Sequence, residues 1–341
     1  MPPSPVIELG DLLASARVVR LRLAVPFRGV REREGVVLQG PAGWGEFAPF
    51  AEYGAAEASW WLDSAIESAF VGLPRPVRRR VGVNAIVPAV TPERAAAMAA
   101  AAADRGCRTV KVKVAEPGGD PDADADRVAA VRGAFDGHVR IDANGAWDVE
   151  RAVAQLRRLD RIAGGLQYAE QPCSDLAGLA AVRRAVDVPV AADESIRRSD
   201  DPIRAAQAQA ADVVVLKAPP LGGVRRALRV AAAAGLPAVV SSALDLGPGL
   251  AAGLALAAAL PELGFDCGLG TPELFADHLV PLSAGAALDV GSLPDPDRLL
   301  LAEAESRVDA GVRAAWLARL AEAWHAGSAE RVQDLLTGAV V

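Results

Sequence analysis

Cysteine and histidine are both scarce in this chain. Of its 341 residues only three are cysteines and three are histidines. The cysteines, Cys107, Cys173 and Cys267, are odd in number, widely spaced and form no Cys-x-x-Cys pair. This pattern argues against a disulfide framework, so we expect the reducing environment of the cytoplasm.

Long apolar runs and an excess of positive charge are missing as well. The apolar run at residues 251–260 is too short to span a bilayer and is typical of a buried helix. The first five residues show no basic region leading into an apolar core, so we expect no signal peptide. A net charge of −7 gives no support to a nucleic-acid surface. We therefore expect a small-molecule partner, and neither nucleic acid nor membrane. The oligomeric state stays open.

Residues 1–79 and residues 279–341 differ in pattern from the middle of the chain. In the first segment, alternating stretches at 18–24 and 34–39 predict strands, and 55–71 predicts an amphipathic helix, which together indicate a small α+β domain. In the last segment, an irregular stretch precedes a long amphipathic helix predicted at 299–326.

The middle segment, residues 80–278, repeats strand, loop and helix. The predicted strands are 81–86, 109–114, 138–142, 165–170, 188–193, 212–217, 238–242 and 264–268. The predicted helices are 92–105, 121–135, 148–160, 175–186, 199–210, 222–234 and 247–260. Eight strands with seven intervening helices fit a closed parallel barrel better than an open sheet. A doubly wound sheet is the alternative, but no G-x-G-x-x-G follows the first strand.

Five consecutive strands of this repeat end in a charged residue. These residues are Lys113, Asp142, Glu170, Asp193 and Lys217. Catalytic residues of a (β/α)8 barrel lie at the C-terminal strand ends, so we expect all five at one rim. The two lysines fall on the second and sixth strands and should face each other across the ring. The alternative is a set of salt bridges across the barrel mouth.

Three carboxylates brought to one rim repel each other unless a cation joins them. The predicted ligands Asp142, Glu170 and Asp193 are all oxygen donors, with no His or Cys at these strand ends. We therefore expect Mg²⁺, with Mn²⁺ as a substitute, rather than zinc. A substrate carboxylate on such an ion would have a more acidic α-proton, which a neutral lysine could remove.

The residues around these strand ends resemble the motifs of the enolase superfamily, in which a Lys or His base works with Mg²⁺. The matching motifs are Lys111-Val-Lys113, Asp142-Ala-Asn144, Glu170-Gln-Pro172, Asp193-Glu-Ser195 and Lys217. The Lys-x-Lys pair resembles the branch shared by muconate lactonising enzymes, dipeptide epimerases and o-succinylbenzoate synthases. The resemblance implies an enolase-like α/β fold: a modified TIM barrel, (β/α)7β, an N-terminal α+β capping domain, and a C-terminal segment that returns to the cap.

Three stretches within the branch are similar to the o-succinylbenzoate synthase family: residues 241–247, 43–50 and 52–54. The resemblance implies a Mg²⁺-dependent syn-dehydration of 2-succinyl-6-hydroxy-2,4-cyclohexadiene-1-carboxylate to 2-succinylbenzoate, a step of menaquinone biosynthesis. It also implies the site residues. They are Lys113 as base and then acid, Lys217 as the stabilising cation, Asp142, Glu170 and Asp193 as metal ligands, Lys111 and Asn144 as supporting residues, and Ser241 and Ser242 as substrate-binding residues.

Three alternatives remain open. N-acylamino acid racemisation could use both lysines as bases. Dipeptide epimerases carry an Asp-x-Asp pair at the eighth strand end, where this chain has the single Asp266. A small-molecule binding barrel without catalysis would be expected to lack one of the five charged residues, and all five are present.

Overall fold

A three-stranded antiparallel sheet opens the fold. In the computed structural model, residues 7–27, 29–197, 204, 208–281, 285–291, 293 and 295–337 are described. A short helix, Leu9–Ser15, precedes strands β1 (Ala16–Phe27), β2 (Val30–Gly40) and β3 (Gly43–Phe47), which are adjacent in sequence and in space.

One face of this sheet is covered by helices from both ends of the chain. The helix Ala55–Ile66 and the helix Ala310–Ala323 share a core with the sheet, in which Phe47, Trp61 and Leu320 are buried. Burial of aromatic and leucine side chains of this size stabilises such a core by about 1.5–3 kcal/mol per side chain.

The division of the chain into domains at 79/80 and 278/279 stays a prediction.

The central segment forms a curled parallel sheet of seven strands. Its strands are β5 (Ala85–Val87), β6 (Thr109–Lys113), β7 (His138–Asp142), β8 (Leu166–Glu170), β9 (Val190–Ala192), β10 (Val213–Leu216) and β11 (Ala238–Val240). Helices between the strands are Pro92–Asp104, Pro121–Ala134, Val149–Ala163, Leu176–Ala185, Glu194–Arg197, Val224–Ala234 and Pro248–Ala259. Most of the predicted helix 199–210 lies outside the described residues.

Valines of β6 pack outward and its lysines point inward, because successive strand residues face opposite sides. Val110 and Val112 belong to the large core that also contains Ala99 and Val128 of the neighbouring helices. Inside the ring, a separate small cluster includes Tyr168, Val213, Val215 and Val239.

Two of the eight predicted barrel strands are wrong in detail. The first divides at residues 83–84: β4 (Arg80–Gly82) pairs antiparallel with a strand of the C-terminal segment, β12 (Ala287–Asp289), and only β5 joins the parallel sheet. The last, 264–268, makes single bridges, from Cys267 to Val83 and from Gly268 to Ser241. Glycines at both ends weaken its strand propensity. It still lies between the two edges of the sheet, and so closes the ring.

The long C-terminal helix predicted at 299–326 is also wrong. The structure has separate helices at Arg298–Ser306 and Ala310–Ala323, followed by a π-helical turn at Trp324–Ser328 and the helix Ala329–Thr337. The second helix starts where Asp309 accepts a hydrogen bond from Val312 N, an N-cap that favours a new helix start.

Among the helices of the described residues, none combines the length and the apolar character that a membrane span requires.

Candidate active site

The register of three neighbouring strands brings the first three charged strand ends side by side. Lys113 of β6 lies opposite Asp142 of β7, and Asp142 lies opposite Glu170 of β8. All three side chains are buried. Desolvated charges of this kind require partners, since an unpaired buried ion costs several kcal/mol.

The lysines of β6 supply those partners. Lys111 Nζ donates to Asp142 Oδ2 at 3.1 Å and to both carboxylate oxygens of Glu170 at 3.0 Å. Lys113 Nζ donates to Asp142 Oδ2 and to Asn144 Oδ1, each at 2.6 Å. Lys111, two residues before the strand end, thus bridges two carboxylates, while Lys113 lies at the strand end.

A second ion pair is formed by the next two charged strand ends. Lys217 follows β10, and its Nζ lies 2.5 Å from Oδ2 of Asp193, which follows β9. Lys113 and Lys217 line the same cavity at the mouth of the barrel. Both lysines therefore border one cavity.

The ionisation states in this cluster depend on one another. Burial, and then the charge of Asp142, raise the pKa of Glu170 to about 7. Burial also opposes ionisation of Asp142, but Lys113 and Lys111 outweigh it and hold the pKa of Asp142 well below its usual value. Burial disfavours the charged form of Lys111, yet Glu170 and Asp142 raise its pKa overall. Lys111 is therefore suited to hold carboxylates in place and poorly suited to act as a base.

The donors fit a hard divalent cation by their chemistry. Asp142, Glu170 and Asp193 are buried carboxylates on three consecutive strands, the ligand type that Mg²⁺ takes up. Within the described ranges, however, no three His, Cys, Asp or Glu side chains form a cluster that could hold a metal ion. The ammonium groups of Lys111 and Lys217 are bonded to these oxygens, so an ion would compete with them.

Non-glycine residues with left-handed backbone conformations follow four of the strands. They are Ala115 (φ 60°), Asn144 (φ 47°), Gln171 (φ 42°) and Leu244 (φ 62°). Each such conformation costs about 1–3 kcal/mol and persists only where the surroundings hold it. Their concentration beyond the strand ends marks this rim as the strained part of the barrel.

Two amide side chains hold these turns together. Gln171 Oε1 accepts hydrogen bonds from Asp193 N at 2.9 Å and Ser195 N at 3.3 Å, which joins the β8 end to the β9 end. Asn144 Nδ2 donates to Glu194 Oε1 at 3.2 Å, while Asn144 Oδ1 receives Lys113. The predicted supporting residue Asn144 thus links Lys113 to the neighbouring turn.

An arginine on a helix also supports Lys113, and it belongs to none of the matching motifs. Arg127 Nη1 donates to the carbonyl of Lys113 at 3.0 Å and to Asp124 Oδ1 at 2.7 Å. Asp124 Oδ2 accepts from Ala115 N at 2.8 Å. This buried pair fixes the backbone from the Lys113 carbonyl to the Ala115 N–H, just after the strand end. A buried Arg–Asp pair at i, i+3 on a barrel helix is a weak sequence signal, because such pairs are common on solvated helix faces.

Residues beyond the charged strand ends also line the cavity; Phe50 ends the family-like stretch 43–50, whereas Phe27 and Thr271 belong to no motif. Phe27 and Phe50 reach it from the N-terminal domain, and Thr271 reaches it from the loop beyond the eighth strand position. The Lys113 ammonium lies 5.1 Å from the centre of the Phe27 ring, within range of a cation–π contact. Packing between domains brings these residues to one cavity, and the spacing of residues in the sequence does not predict that they meet there.

The two predicted substrate-binding serines line this cavity but differ in their hydroxyl contacts. Ser242 Oγ donates to Asp245 Oδ2 at 2.8 Å and accepts from Asp245 N at 3.1 Å and Thr271 Oγ1 at 2.8 Å. A hydroxyl has one donor and two acceptor positions, so these contacts satisfy Ser242. Among the described residues, Ser241 Oγ makes one long contact, of 3.5 Å to Gly268 O. Of the two hydroxyls, that of Ser241 is the better placed to donate to a ligand.

The lysine content of the chain singles out this site. The sequence contains three lysines, and all three are in the cluster: Lys111, Lys113 and Lys217. Every other basic side chain apart from histidine is arginine. The positions of the lysines alone, without any motif, therefore mark the site in the sequence.

Comparison with known proteins agrees with this geometry. The model of the Enolase N-terminal domain-like family matches residues 18–69, and that of the Enolase C-terminal domain-like family matches residues 93–287. The o-succinylbenzoate synthase of Thermobifida fusca is 52% identical over 320 residues, which cover 91% of this chain and 96% of the relative. That of Mycolicibacterium smegmatis is 50% identical over 298 residues, covering 86% and 91%.

The chain belongs to the o-succinylbenzoate synthase family. It is an enzyme of the enolase superfamily, as its motifs predicted, and the non-catalytic alternative is set aside. Solved structures share the fold: muconate lactonizing enzyme of Pseudomonas fluorescens (TM-score 0.75, 25% identity, covering 85% of this chain and 97% of that one) is similar throughout. The L-Ala-D/L-Glu epimerase of Bacillus subtilis has a TM-score of 0.71 at 23% identity, covering 82% and 96%. The predicted modified barrel with an N-terminal α+β domain is confirmed.

Proposed function

We propose that the chain dehydrates 2-succinyl-6-hydroxy-2,4-cyclohexadiene-1-carboxylate to 2-succinylbenzoate and water, in the cytoplasm and as a step of menaquinone biosynthesis. The observation that carries the proposal is the pair of lysines on a common cavity, Lys113 and Lys217, with the carboxylates Asp142, Glu170 and Asp193 at the same rim. The family of relatives supports the choice of substrate.

Lys113 is the proposed base. In its neutral form it takes the α-proton of the ring carboxylate, and it then returns this proton to the departing hydroxyl on the same face, which leaves as water. Two supports favour this role: Arg127 holds the Lys113 carbonyl, and Asn144 Oδ1 lies 2.6 Å from the ammonium. Both limit the positions that the Lys113 amine can occupy, and such positioning lowers the barrier to proton transfer.

Lys217 is the proposed electrostatic stabiliser. Negative charge develops on the substrate carboxylate when the α-proton leaves, and an ammonium that borders the same cavity lowers the energy of that state. A donor of this kind is worth about 10²–10³ in kcat. The Lys217 ammonium lies 2.5 Å from Asp193 Oδ2, and an ion on Asp193 would weaken this contact.

Asp142, Glu170 and Asp193 are the proposed ligands of Mg²⁺, with Mn²⁺ as a substitute. When bound, the ion would act as a Lewis acid toward the substrate carboxylate. Lys111 keeps Asp142 and Glu170 together from below, and Ser241 presents its hydroxyl from the wall of the cavity.

The test is turnover of the diene with Mg²⁺, followed by absorbance of the aromatic product. We expect product formation that EDTA abolishes and that added Mg²⁺ restores. The same protein is incubated in deuterated water with dipeptides and N-acylamino acids, and deuterium at the α-carbon is followed by NMR. Deuterium in a dipeptide without diene turnover would refute the assignment.

Racemisation of N-acylamino acids is a second candidate activity. The observation that favours it is the same pair of cavity lysines, since two bases can exchange an α-proton. Dipeptide epimerisation is less well supported. Asp266 binds Arg108 Nη2 at 2.6 Å and Thr109 Oγ1 at 2.8 Å, at the start of β6 and away from the cavity rim. The chain has one Asp-x-Asp sequence after the barrel, Asp295-Pro-Asp297. Its Asp297 accepts hydrogen bonds from Leu299 N and Leu300 N as a helix N-cap.

A further inference from the structure

The loop after β11 forms one wall of the cavity, and its backbone is held from another domain. This wall segment, residues 241–249, contributes Ser241, Ser242, Ala243 and Leu244 to the cavity lining. Leu244 has a left-handed backbone with φ 62°. A leucine adopts that conformation only where neighbouring groups hold it, so the position of this wall depends on what binds the segment.

One of these neighbours is Arg33 of β2. Its Nε donates to Leu244 O at 3.2 Å, and its Nη2 donates to Ala48 O. The guanidinium also stacks 4.0 Å from the centre of the Phe50 ring, and Phe50 lines the cavity from the N-terminal domain. Arg33 is 4% exposed. One buried side chain therefore contacts two residues that line the cavity, Leu244 through its carbonyl and Phe50 through its ring.

The other neighbour is Glu46 of β3. Its carboxylate accepts hydrogen bonds from Leu246 N at 2.9 Å, Gly247 N at 3.2 Å and Gly249 N at 2.8 Å. The helix that begins at Pro248 has no N-cap side chain of its own. Glu46 supplies that cap from the other domain, because its oxygens accept the N–H groups of the first turn.

We propose that Arg33 and Glu46 are positioning residues for the substrate, because together they fix the wall segment from the N-terminal domain. The substrate named here rests on the proposed function. Glu46 binds the backbone N–H of Leu246, and the adjacent Asp245 accepts a hydrogen bond from the Ser242 hydroxyl. Because Ser242 lines the cavity, the hold on the backbone reaches the surface that faces the cavity. The part of the substrate away from the reacting carbon would contact this wall. Loss of the contacts that fix the wall segment should therefore weaken substrate binding more than it slows the chemical step.

The chain offers a matched control in Glu67. This carboxylate also belongs to the N-terminal half, is 1% exposed, and also caps a barrel helix, with bonds from Val224 N and Arg225 N. None of residues 218–240 lines the cavity. Each of Glu46→Gln and Glu67→Gln replaces one accepting carboxylate oxygen of a helix cap by an NH₂ group that cannot accept. Glu67 also pairs with the Arg225 side chain at 2.8 Å. Only the helix that Glu46 caps, Pro248–Ala259, follows a cavity wall.

The experiment compares Glu46→Gln, Arg33→Lys and Glu67→Gln with the wild type in the presence of Mg²⁺. Three quantities are measured: amide hydrogen exchange of residues 241–249, KM and kcat for the diene, and Kd for 2-succinylbenzoate by calorimetry. For Glu46→Gln and Arg33→Lys we expect faster exchange in the wall segment. We also expect KM and Kd to rise on the order of tenfold, equivalent to about 1.4 kcal/mol, with kcat nearly unchanged. For Glu67→Gln we expect faster exchange near residues 222–228 and unchanged KM and Kd.

Unchanged exchange in the wall segment of Glu46→Gln and Arg33→Lys would overturn the proposal, and so would faster exchange with unchanged KM and Kd. An equal rise of KM in Glu67→Gln would show general destabilisation and would also overturn it. If Glu46→Gln does not fold, Arg33→Lys decides alone. If the wild type does not convert the diene, the proposed function fails, and the exchange data still decide whether Glu46 and Arg33 hold the segment.

Discussion

Lys113 Nζ lies 2.6 Å from Oδ2 of Asp142, and the two residues are direct partners in the register of β6 and β7. The proposed base is thus bonded to a proposed metal ligand. Lys111 Nζ is bonded to the same oxygen at 3.1 Å. A divalent ion on Asp142 would weaken both contacts, because two cations cannot share one carboxylate oxygen as favourably as one. Metal binding and release of the Lys113 amine toward the substrate are therefore expected to be coupled.

Removal of the Lys113 amine should abolish dehydration while Mg²⁺ still binds. A positioned base contributes about 10²–10⁴ to the rate, so Lys113→Ala should lose at least 10²-fold in kcat. The measurement is diene turnover by absorbance, together with Mg²⁺ titration by calorimetry. Appreciable turnover in a variant that binds Mg²⁺ would show that the base is misassigned.

Magnesium should perturb every lysine of the protein. Because the three lysines all contact proposed ligands, protein labelled with ¹³C at lysine Cε gives a spectrum of this site alone. We expect saturable shifts of all three signals with Mg²⁺. In Asp193→Asn the saturation should move to higher Mg²⁺ concentration. Signals of Lys111 and Lys113 that stay unchanged at saturating Mg²⁺ would contradict the proposed ligand set.

Acid should remove a stabilising contact at Asp277. Side-chain hydrogen bonds from Arg22 hold the pKa of Asp277 at about 2, below its ordinary value. A carboxyl whose folded pKa is depressed stabilises the fold above its unfolded pKa, near ~4, and loses this effect as the pH falls toward about 2. Asp277→Asn should lower the free energy of unfolding at pH 7 by about 1 kcal/mol or less, given the solvent near the pair. The difference from wild type should shrink between pH 4 and pH 2 in urea unfolding. A difference that is constant with pH would contradict this account.

A methyl group at Gly45 should destabilise the N-terminal domain. A Cβ built there would lie 2.1 Å from the carbonyl oxygen of Ala65 in the packed helix, so the backbone would have to move. We expect Gly45→Ala to cost about 1–3 kcal/mol, as overpacking does elsewhere. Gly264→Ala is the control, since a Cβ there meets nothing within 4 Å. Denaturant unfolding measures both, and equal stability of the two variants would refute the prediction.

The repeat of strand and helix, and the charged residue at each strand end, could be read from the sequence. Alternation along a strand decides that Lys111 and Lys113 share one face while Val110 and Val112 share the other. The βα repeat then decides that Lys113, Asp142 and Glu170 meet at one edge, since parallel strands bring their C-terminal ends together. Both are local properties, which the order of residues determines without knowledge of distant contacts.

Contacts between distant segments were decided only by the tertiary structure. The division of the first barrel strand depends on β12, some 200 residues later, and the ring is closed by single bridges around Cys267. The hold of Arg33 and Glu46 on the cavity wall follows from how the two domains pack. No periodicity encodes these contacts, because they join residues whose separation along the chain has no fixed relation to their positions in space.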